Sequence, residues 1–368
     1  MSANLPTTLQ WLDPRDQRFD WLNVADWEAQ GDGFQPVRVA KVWRDRWPVK
    51  TARRGKSAAG MALRFRSDSK RLVLRVTFIN SPDEAATPAV AWERARPSFF
   101  SLYRDGKYVA SMAALNHFDR QDVTIYDGAP AGESEVRLLL PFYYRNAELI
   151  VHGIGIDAGA KLLRAEPDRR PRVFFHGDSI THGHGVTSPR ETYVSQAADL
   201  LDCVPLNYGF GGSAWGDNII AQTIASRTDW DLLTIMIGCN SLAGADANGQ
   251  PETAARYLEK YHAYLATIRA AHPSKPILCI TPILNRADLT PGGNINGERP
   301  ELYRDGMTRI LRQRQKSDAN LHFLDGLSMI DDPLFLLVSD NVHPNDAGMH
   351  RIAQGVAAAL QPLLAKLR

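Results

Sequence analysis

The sequence has little cysteine: three residues in 368, at Cys203, Cys239 and Cys279. An odd number without close spacing excludes a disulfide framework and a cysteine-ligated metal cluster. Each lies in or beside an apolar run, where thiols are commonly buried. No apolar run approaches the roughly 18 residues that would cross a bilayer. Charge of one sign is also missing, since 43 Lys and Arg face 41 Asp and Glu for a net charge of +2. That balance removes the electrostatic reason to expect nucleic acid or a membrane surface as partner. Two short basic clusters, Lys50-Thr51-Ala52-Arg53-Arg54 and Arg169-Arg170-Pro171-Arg172, read as solvated loops. The stretch Met1-Ser2-Ala3-Asn4-Leu5-Pro6 has no basic segment leading into an apolar one, so the expectation is a cytoplasmic protein. There is no internal repeat and no low-complexity segment. What remains is an ordinary globular composition, long enough for two domains.

The two halves have different patterns. Up to about residue 160 the chain is rich in short strand signals: Arg71–Phe78, Val136–Leu140 and Glu148–Val151. Phe99 to Met112 reads as a hairpin around Asp105-Gly106. Such spacing predicts an all-β sandwich or jelly roll over residues 1–160. Six of the eight tryptophans fall here, at 11, 21, 27, 43, 47 and 92. They are expected to fill its core and an interface between domains, as large aromatics dominate burial. Residues 161–171, with Pro167 and Pro171 among charges, read as a linker. From 172 to 368 strands alternate with helical patterns. Strands are expected at Val173–Phe175, Val204–Asn207, Leu232–Ile237, Ile277–Ile280 and His322–Leu324. Helices are expected at Thr192–Leu201, Thr253–Ala271, Leu302–Gln315 and Ala347–Leu367. That alternation predicts an α/β domain with a mainly parallel sheet covered on both faces.

Four short stretches fall in or just after the C-terminal ends of these strands or in the last loop. They are Gly177-Asp178-Ser179-Ile180, Asn207-Tyr208-Gly209-Phe210-Gly211-Gly212, Gly238-Cys239-Asn240-Ser241 and Asp340-Asn341-Val342-His343. Strand ends of an open parallel sheet converge on one crevice, so these stretches can meet there. Ser179 supplies a hydroxyl, which is a weak nucleophile until a base takes its proton. His343 is the natural base, and Asp340, three residues away, can orient it. An acyl-transfer intermediate needs donors for its oxyanion, and the Gly212 N–H and the Asn240 side chain are placed to supply them. Each part has a structural alternative: Ser179 as a helix cap, the glycines as turns, Asn240 as a loop brace and His343 as a surface residue.

Taken together, the four stretches resemble the sequence blocks of the GDSL (SGNH) hydrolase superfamily over about residues 172–368. The resemblance implies a flavodoxin-like three-layer α/β/α domain and serine esterase chemistry without a cofactor or metal. It assigns Ser179 as nucleophile, Asp340 and His343 as its charge-relay partners, and Ser179, Gly212 and Asn240 as oxyanion donors. Asp178 corresponds to the acidic residue beside the nucleophile. Two positions depart from the pattern. Ser241 stands where an aspartate is common, which affects the hydrogen bonding of that loop. Gly211 stands where a serine is frequent, which leaves Gly209 and Gly211 as alternatives to Gly212. A β-rich domain before such a hydrolase is similar to two-domain carbohydrate esterases and to GDSL-type acyltransferases of polyketide biosynthesis.

Three neighbouring features invite other readings. Ser213 in Gly-Gly-Ser-Ala-Trp-Gly imitates a nucleophile elbow, but Trp215 stands where Gly-x-Ser-x-Gly requires glycine. His176, His182 and His184 surround the nucleophile without carboxylates at a metal-ligand spacing, so His182 and His184 are expected at the pocket mouth or on the loop surface. The long loop from Asn285 to Pro300 is expected to shape the acyl or alcohol pocket together with Trp215 and residues of the N-terminal domain. The function expected is hydrolysis of a short acyl ester, acetyl above all, of a sugar or small metabolite. Transfer of the acyl group to a hydroxyl acceptor is the alternative, and a non-catalytic carbohydrate-binding protein stands behind both. The expected partner is thus a small-molecule or saccharide ester; oligomeric state is not legible.

Overall fold

A computed structural model describes residues 8–79, 97–114, 119–129, 132–142, 148–246 and 248–367. The chain forms two compact units. The first gathers residues up to Lys41, Gly55–Asp168 and Ser188–Arg190. The second gathers Val42–Arg54, Arg169–Thr187 and Glu191 onward. The excursion 42–54 therefore leaves the first unit in mid-sequence and folds as part of the second.

The first unit is a β-sandwich of two antiparallel sheets. One sheet runs in the order Asp26–Gln30, Gly33–Val37, Glu148–Asp157, Arg71–Ile79, Gln121–Asp127, with Leu9–Leu12 also paired to Glu148–Asp157. The other runs Leu162–Leu163, Ala62–Ser67, Ser134–Leu139, Ser98–Arg104, Lys107–Ala114, with Asp20–Leu22 also on Ala62–Ser67. Leu162 and Leu163, in the segment read as a linker, pair with Ser67 and Arg66. The hairpin turn at Asp105-Gly106 has φ of 47° and 76°, the two left-handed residues that a tight turn between twisted strands requires. The alternating strands bury Leu72, Leu74, Val76 and Phe78 against Leu63, Phe65, Phe100 and Val136.

That core is aliphatic and phenylalanine-rich, and among the described tryptophans only the half-buried Trp21 packs against it. Trp11, Trp21 and Trp27 are half-buried, and Trp11 lies beneath the guanidinium of Arg75. Trp43 and Trp47 belong to the second unit, and Trp92 lies outside the described residues. The polar anchor of the sandwich is Asp157. Its carboxylate accepts from the Lys70 and Arg71 N–H groups, the Ser69 hydroxyl and the Arg71 guanidinium, at 2.8 to 3.1 Å.

The second unit is a five-stranded parallel sheet in the order Val204–Gly209, Arg172–Gly177, Leu232–Met236, Ile277–Ile280, Leu321–Leu324. Numbered along the chain this is order 2-1-3-4-5, the flavodoxin-like arrangement, whose crevice opens beside the first strand. Successive side chains point to opposite faces. Val173 and Phe175 pack with the helices Tyr193–Leu201 and Asp346–Leu364. Phe174 and His176 face Tyr208, Trp230 and Tyr264 instead. Two helices that the sequence pattern did not suggest, Asn218–Ala225 and Val49–Arg54, belong to this unit.

Asp157→Ala should destabilise the sandwich by about 3 kcal/mol, since it removes the carboxylate shared by a partly buried guanidinium, a hydroxyl and two backbone N–H groups. Urea unfolding monitored by the fluorescence of the sandwich tryptophans checks this; an unchanged midpoint would overturn the anchoring role.

Candidate active site

The strand Arg172–Gly177 ends level with its neighbours. Gly177 pairs with Gly209 on one side and with Met236 on the other. The three loops that follow carry Ser179, Gly212 and Asn240, so strands spaced about 4.8 Å apart deliver them side by side. Close approach is enforced at Gly209, where a Cβ would sit 2.2 Å from the His182 backbone nitrogen. Only glycine lets the second strand end against the nucleophile's helix.

Ser179 opens the one-turn helix Ser179–His182 and is 2% exposed. Asp178 caps that helix, its Oδ1 accepting from the Ile180 N–H at 2.9 Å. Asn207 ties the second strand to the same turn: its side-chain nitrogen donates to the Thr181 carbonyl at 2.7 Å and its Oδ1 accepts from the Gly209 N–H at 2.9 Å.

The histidine arrives on a loop that organises itself. Asp340 Oδ1 accepts from the Val342 and His343 N–H groups at 2.8 and 3.0 Å. Asn341 takes φ of 56° inside this turn. The Val338 N–H donates to the His343 carbonyl at 2.8 Å, closing the loop at its base. Gly185, beyond the nucleophile's helix, lies so near this loop that a Cβ would meet the Pro344 carbonyl oxygen at 2.3 Å.

The result is a continuous chain of hydrogen bonds. Ser179 Oγ lies 2.7 Å from His343 Nε2, and His343 Nδ1 lies 2.6 Å from Asp340 Oδ2. Partial burial would raise the pKa of Asp340. The hydrogen bond and charge of His343, with the two loop N–H groups, outweigh it and hold the carboxyl at about 2. Asp340 is therefore ionised at neutral pH.

The structure also sorts the glycines. The Gly209 N–H is bound to Asn207, and the Gly211 N–H donates to His182 Nδ1 at 3.2 Å. Among the described residues the Gly212 N–H has no acceptor, so of the three it is the one open to a ligand. Asn240 accepts the Ala214 N–H on its Oδ1 at 3.2 Å, which leaves its NH₂ group as the end directed elsewhere. Ser213 is as buried as Ser179, but its hydroxyl has no hydrogen-bond partner among the described residues, whereas Ser179 Oγ has His343.

The histidines around the nucleophile separate into three roles. His176 is buried, stacked on Tyr264 and bonded through Nδ1 to the Tyr208 carbonyl at 2.9 Å; burial depresses its pKa to about 4, so it is neutral. His182 is fully buried and neither at a pocket mouth nor on the surface, because its ring is the acceptor for the Gly211 N–H. His184 packs edge-on against His343 with ring centroids 4.0 Å apart. Ligand-type atoms of His184, Asp340 and His343 lie within 4.8 Å of one another. Two of those side chains are already joined by the short bond that orients His343, so the cluster is accounted for without a cation.

The loop expected to shape the pocket is held by a polar frame. Arg304, buried, grips both carboxylate oxygens of Asp288 at 2.6 and 2.8 Å and the carbonyls of Pro282 and Ile283. Asn285 reaches Cys239 Sγ at 3.6 Å, next to Asn240.

Two family models together match most of the chain. Residues 175–351 match the GDSL-like lipase/acylhydrolase family, and residues 9–162 match a family described as the N-terminus of the SGNH-hydrolase esterase type. No curated protein matches the sequence significantly. Among solved structures, a salicylyl-acyltransferase, SsfX3, from a tetracycline biosynthetic pathway is 21% identical, with 96% of this chain and 97% of that one covered at a TM-score of 0.78. A GDSL-like lipase from Bacteroides ovatus is 19% identical over 97% and 98% of the two chains, at 0.75. A family two carbohydrate esterase from Clostridium thermocellum, in complex with cellohexaose, is 15% identical over 94% and 99%, at 0.62. At these identities the likeness is one of fold. Among the described residues no helix is long and apolar enough to cross a membrane.

Asp178 provides a test of the site's electrostatics. Burial raises its pKa to about 6, against the N–H groups of Ile180 and Cys239 and the charge of His343. A folded pKa above the unfolded one means stability present below pH 3.8 is lost as pH rises through 6. Asp178→Asn keeps the cap but removes the buried charge. It should gain on the wild type between pH 4 and 7, by up to about 3 kcal/mol. Urea unfolding across that range decides it; a difference independent of pH would refute a buried ionising carboxyl.

Proposed function

Residues 175–351 belong to the GDSL-like lipase/acylhydrolase family, and from that premise we propose that the protein is a serine esterase that removes a short acyl group, acetyl above all, from a sugar or small-metabolite ester. The reading is carried by the hydrogen-bonded chain from Ser179 through His343 to Asp340, at 2.7 and 2.6 Å. In it, His343 Nε2 takes the Ser179 proton as Oγ attacks the ester carbon. The Nδ1–H donates to Asp340, which fixes the tautomer and balances the charge that His343 acquires. The oxyanion is received by the Ser179 and Gly212 N–H groups and the Asn240 amide. His343 then protonates the departing alcohol, and the same residue activates water to release the acid.

Acyl transfer to an alcohol is the second reading. It uses the same side chains, and the salicylyl-acyltransferase shares the two-unit fold over nearly the whole chain. The finer choice of acyl donor and acceptor depends on the pocket around Trp215 and the loop from Asn285 to Pro300.

Ser179→Ala should lower kcat on p-nitrophenyl acetate by about 10⁴-fold or more with the fold intact by circular dichroism. Asp340→Asn should cost about 10⁴-fold through the wrong tautomer, and Asn240→Ala about 10² to 10³-fold. Full activity of Ser179→Ala would overturn the mechanism. Supplying acetylated sugars, aryl esters of increasing length and acyl-CoA with and without an alcohol separates the two readings. Release of acid without an acceptor supports hydrolysis; consumption that requires the alcohol supports transfer.

A further inference from the structure

The basic cluster at residues 50–54 is not a solvated loop. Val49–Arg54 is a helix, and its last residue, Arg54, is 9% exposed. The Arg54 Nε–H donates to the Gly211 carbonyl oxygen at 3.2 Å. Trp47, just before this helix, is buried as well: its indole N–H donates to the Thr223 hydroxyl at 2.9 Å, and its ring meets Phe210 and Tyr208 edge-on at 5.1 and 6.0 Å. An excursion from the N-terminal half of the sequence thus lies against the loop Phe210–Gly212 as part of the second unit.

The atom that Arg54 holds gives this contact a functional meaning. The Gly211 carbonyl and the Gly212 N–H are two ends of one planar peptide group. No peptide bond among the described residues is cis, so they point in opposite directions. Fixing the carbonyl on a guanidinium therefore directs the Gly212 N–H away from Arg54. A cationic donor on the carbonyl also polarises the peptide and makes its N–H a stronger donor. The preceding peptide is fixed separately, through the Gly211 N–H on His182. The Phe210 N–H donates to the Gly177 carbonyl at 2.9 Å, and Trp215 donates to the Gly212 carbonyl at 3.3 Å. Every neighbouring group of the loop is thus held, and the Gly212 N–H is left open.

We infer that Arg54 is a positioning residue for ester chemistry: through the Gly211 carbonyl it sets and polarises the Gly212 N–H that receives the oxyanion. The inference rests on the esterase reading above and adds to it a residue outside the matched segment 175–351. The contact that carries this role is the one from Arg54 Nε to the Gly211 carbonyl oxygen. Its effect should appear in the tetrahedral state and not in substrate binding.

The test compares wild type with Arg54→Ala and Arg54→Lys on p-nitrophenyl acetate. The same proteins are titrated with an aryl trifluoromethyl ketone, whose serine adduct carries a tetrahedral oxyanion. Arg54→Ala should lower kcat by about 10- to 100-fold with KM changed less than threefold, because it weakens one donor without removing it. The ketone should lose affinity by the same factor. Arg54→Lys, which keeps a cation at the carbonyl and is the more conservative fold, should recover part of both losses. Unchanged kcat and ketone affinity in a folded Arg54→Ala would overturn the inference, as would a loss confined to KM or an Arg54→Lys no better than Arg54→Ala. Ser179→Ala separates the two levels. An inactive wild type, or an active Ser179→Ala, would overturn the esterase reading and this inference with it. An active wild type, a dead Ser179→Ala and a fully active Arg54→Ala would overturn this inference alone.

Discussion

The parallel register that sets Gly177 level with Gly209 on one side and Met236 on the other determines where the segments carrying Ser179, Gly212 and Asn240 begin. Three adjacent strands end at one height, and the next few residues of each supply Ser179, Gly212 and Asn240. The register tolerates no side chain at the contact: a Cβ on Gly209 would drive into the backbone of the helix that carries Ser179. Hydrophobic burial on both faces holds the sheet in this alignment, with Val173 and Phe175 packed one way and Phe174 the other. A slip of one residue would exchange the two faces, so core packing and site geometry are set by the same constraint.

Around that frame the protein buries polar groups for precision. Asp178 is kept within the fold although burial raises its pKa to about 6. His182 is buried with its ring accepting a backbone N–H of the glycine loop. Asp340 is the contrasting case. It sits partly exposed on a turn that it builds with its own two N–H bonds, and the same carboxylate orients His343. His343 is thus positioned locally, and Ser179 and the loop to Gly212 are positioned by the sheet. The two parts meet through the bond from Ser179 to His343 and the close approach of Gly185 to Pro344.

The excursion 42–54 shows how local reading fails. Lys50, Arg53 and Arg54 look like a solvated cluster because nothing nearby in sequence could partner them. Arg54 finds its acceptor at Gly211, 157 residues away. Trp47 lies with Arg54 in the second unit, where it packs on Phe210 and bonds Thr223. His182 was placed near a pocket mouth for the same reason: a histidine beside a nucleophile looks exposed until the glycine loop closes over it.

The amino-acid order by itself determined the parts whose signals are local. The alternation of strands and helices specifies the parallel sheet, Asp105-Gly106 specifies the hairpin, and the three-residue spacing of Asp340 and His343 allows one turn to join them. The identities of Ser179 and Asn240 as candidates followed from their place after strand ends. Only the tertiary structure decided which glycine N–H is left open, because that depends on acceptors brought from Asn207 and His182. Only it could decide that His184 packs on His343 and that Arg54 holds the Gly211 carbonyl. Hydrogen bonds between distant residues are chosen by how surfaces close on one another, and no spacing along the chain records that choice.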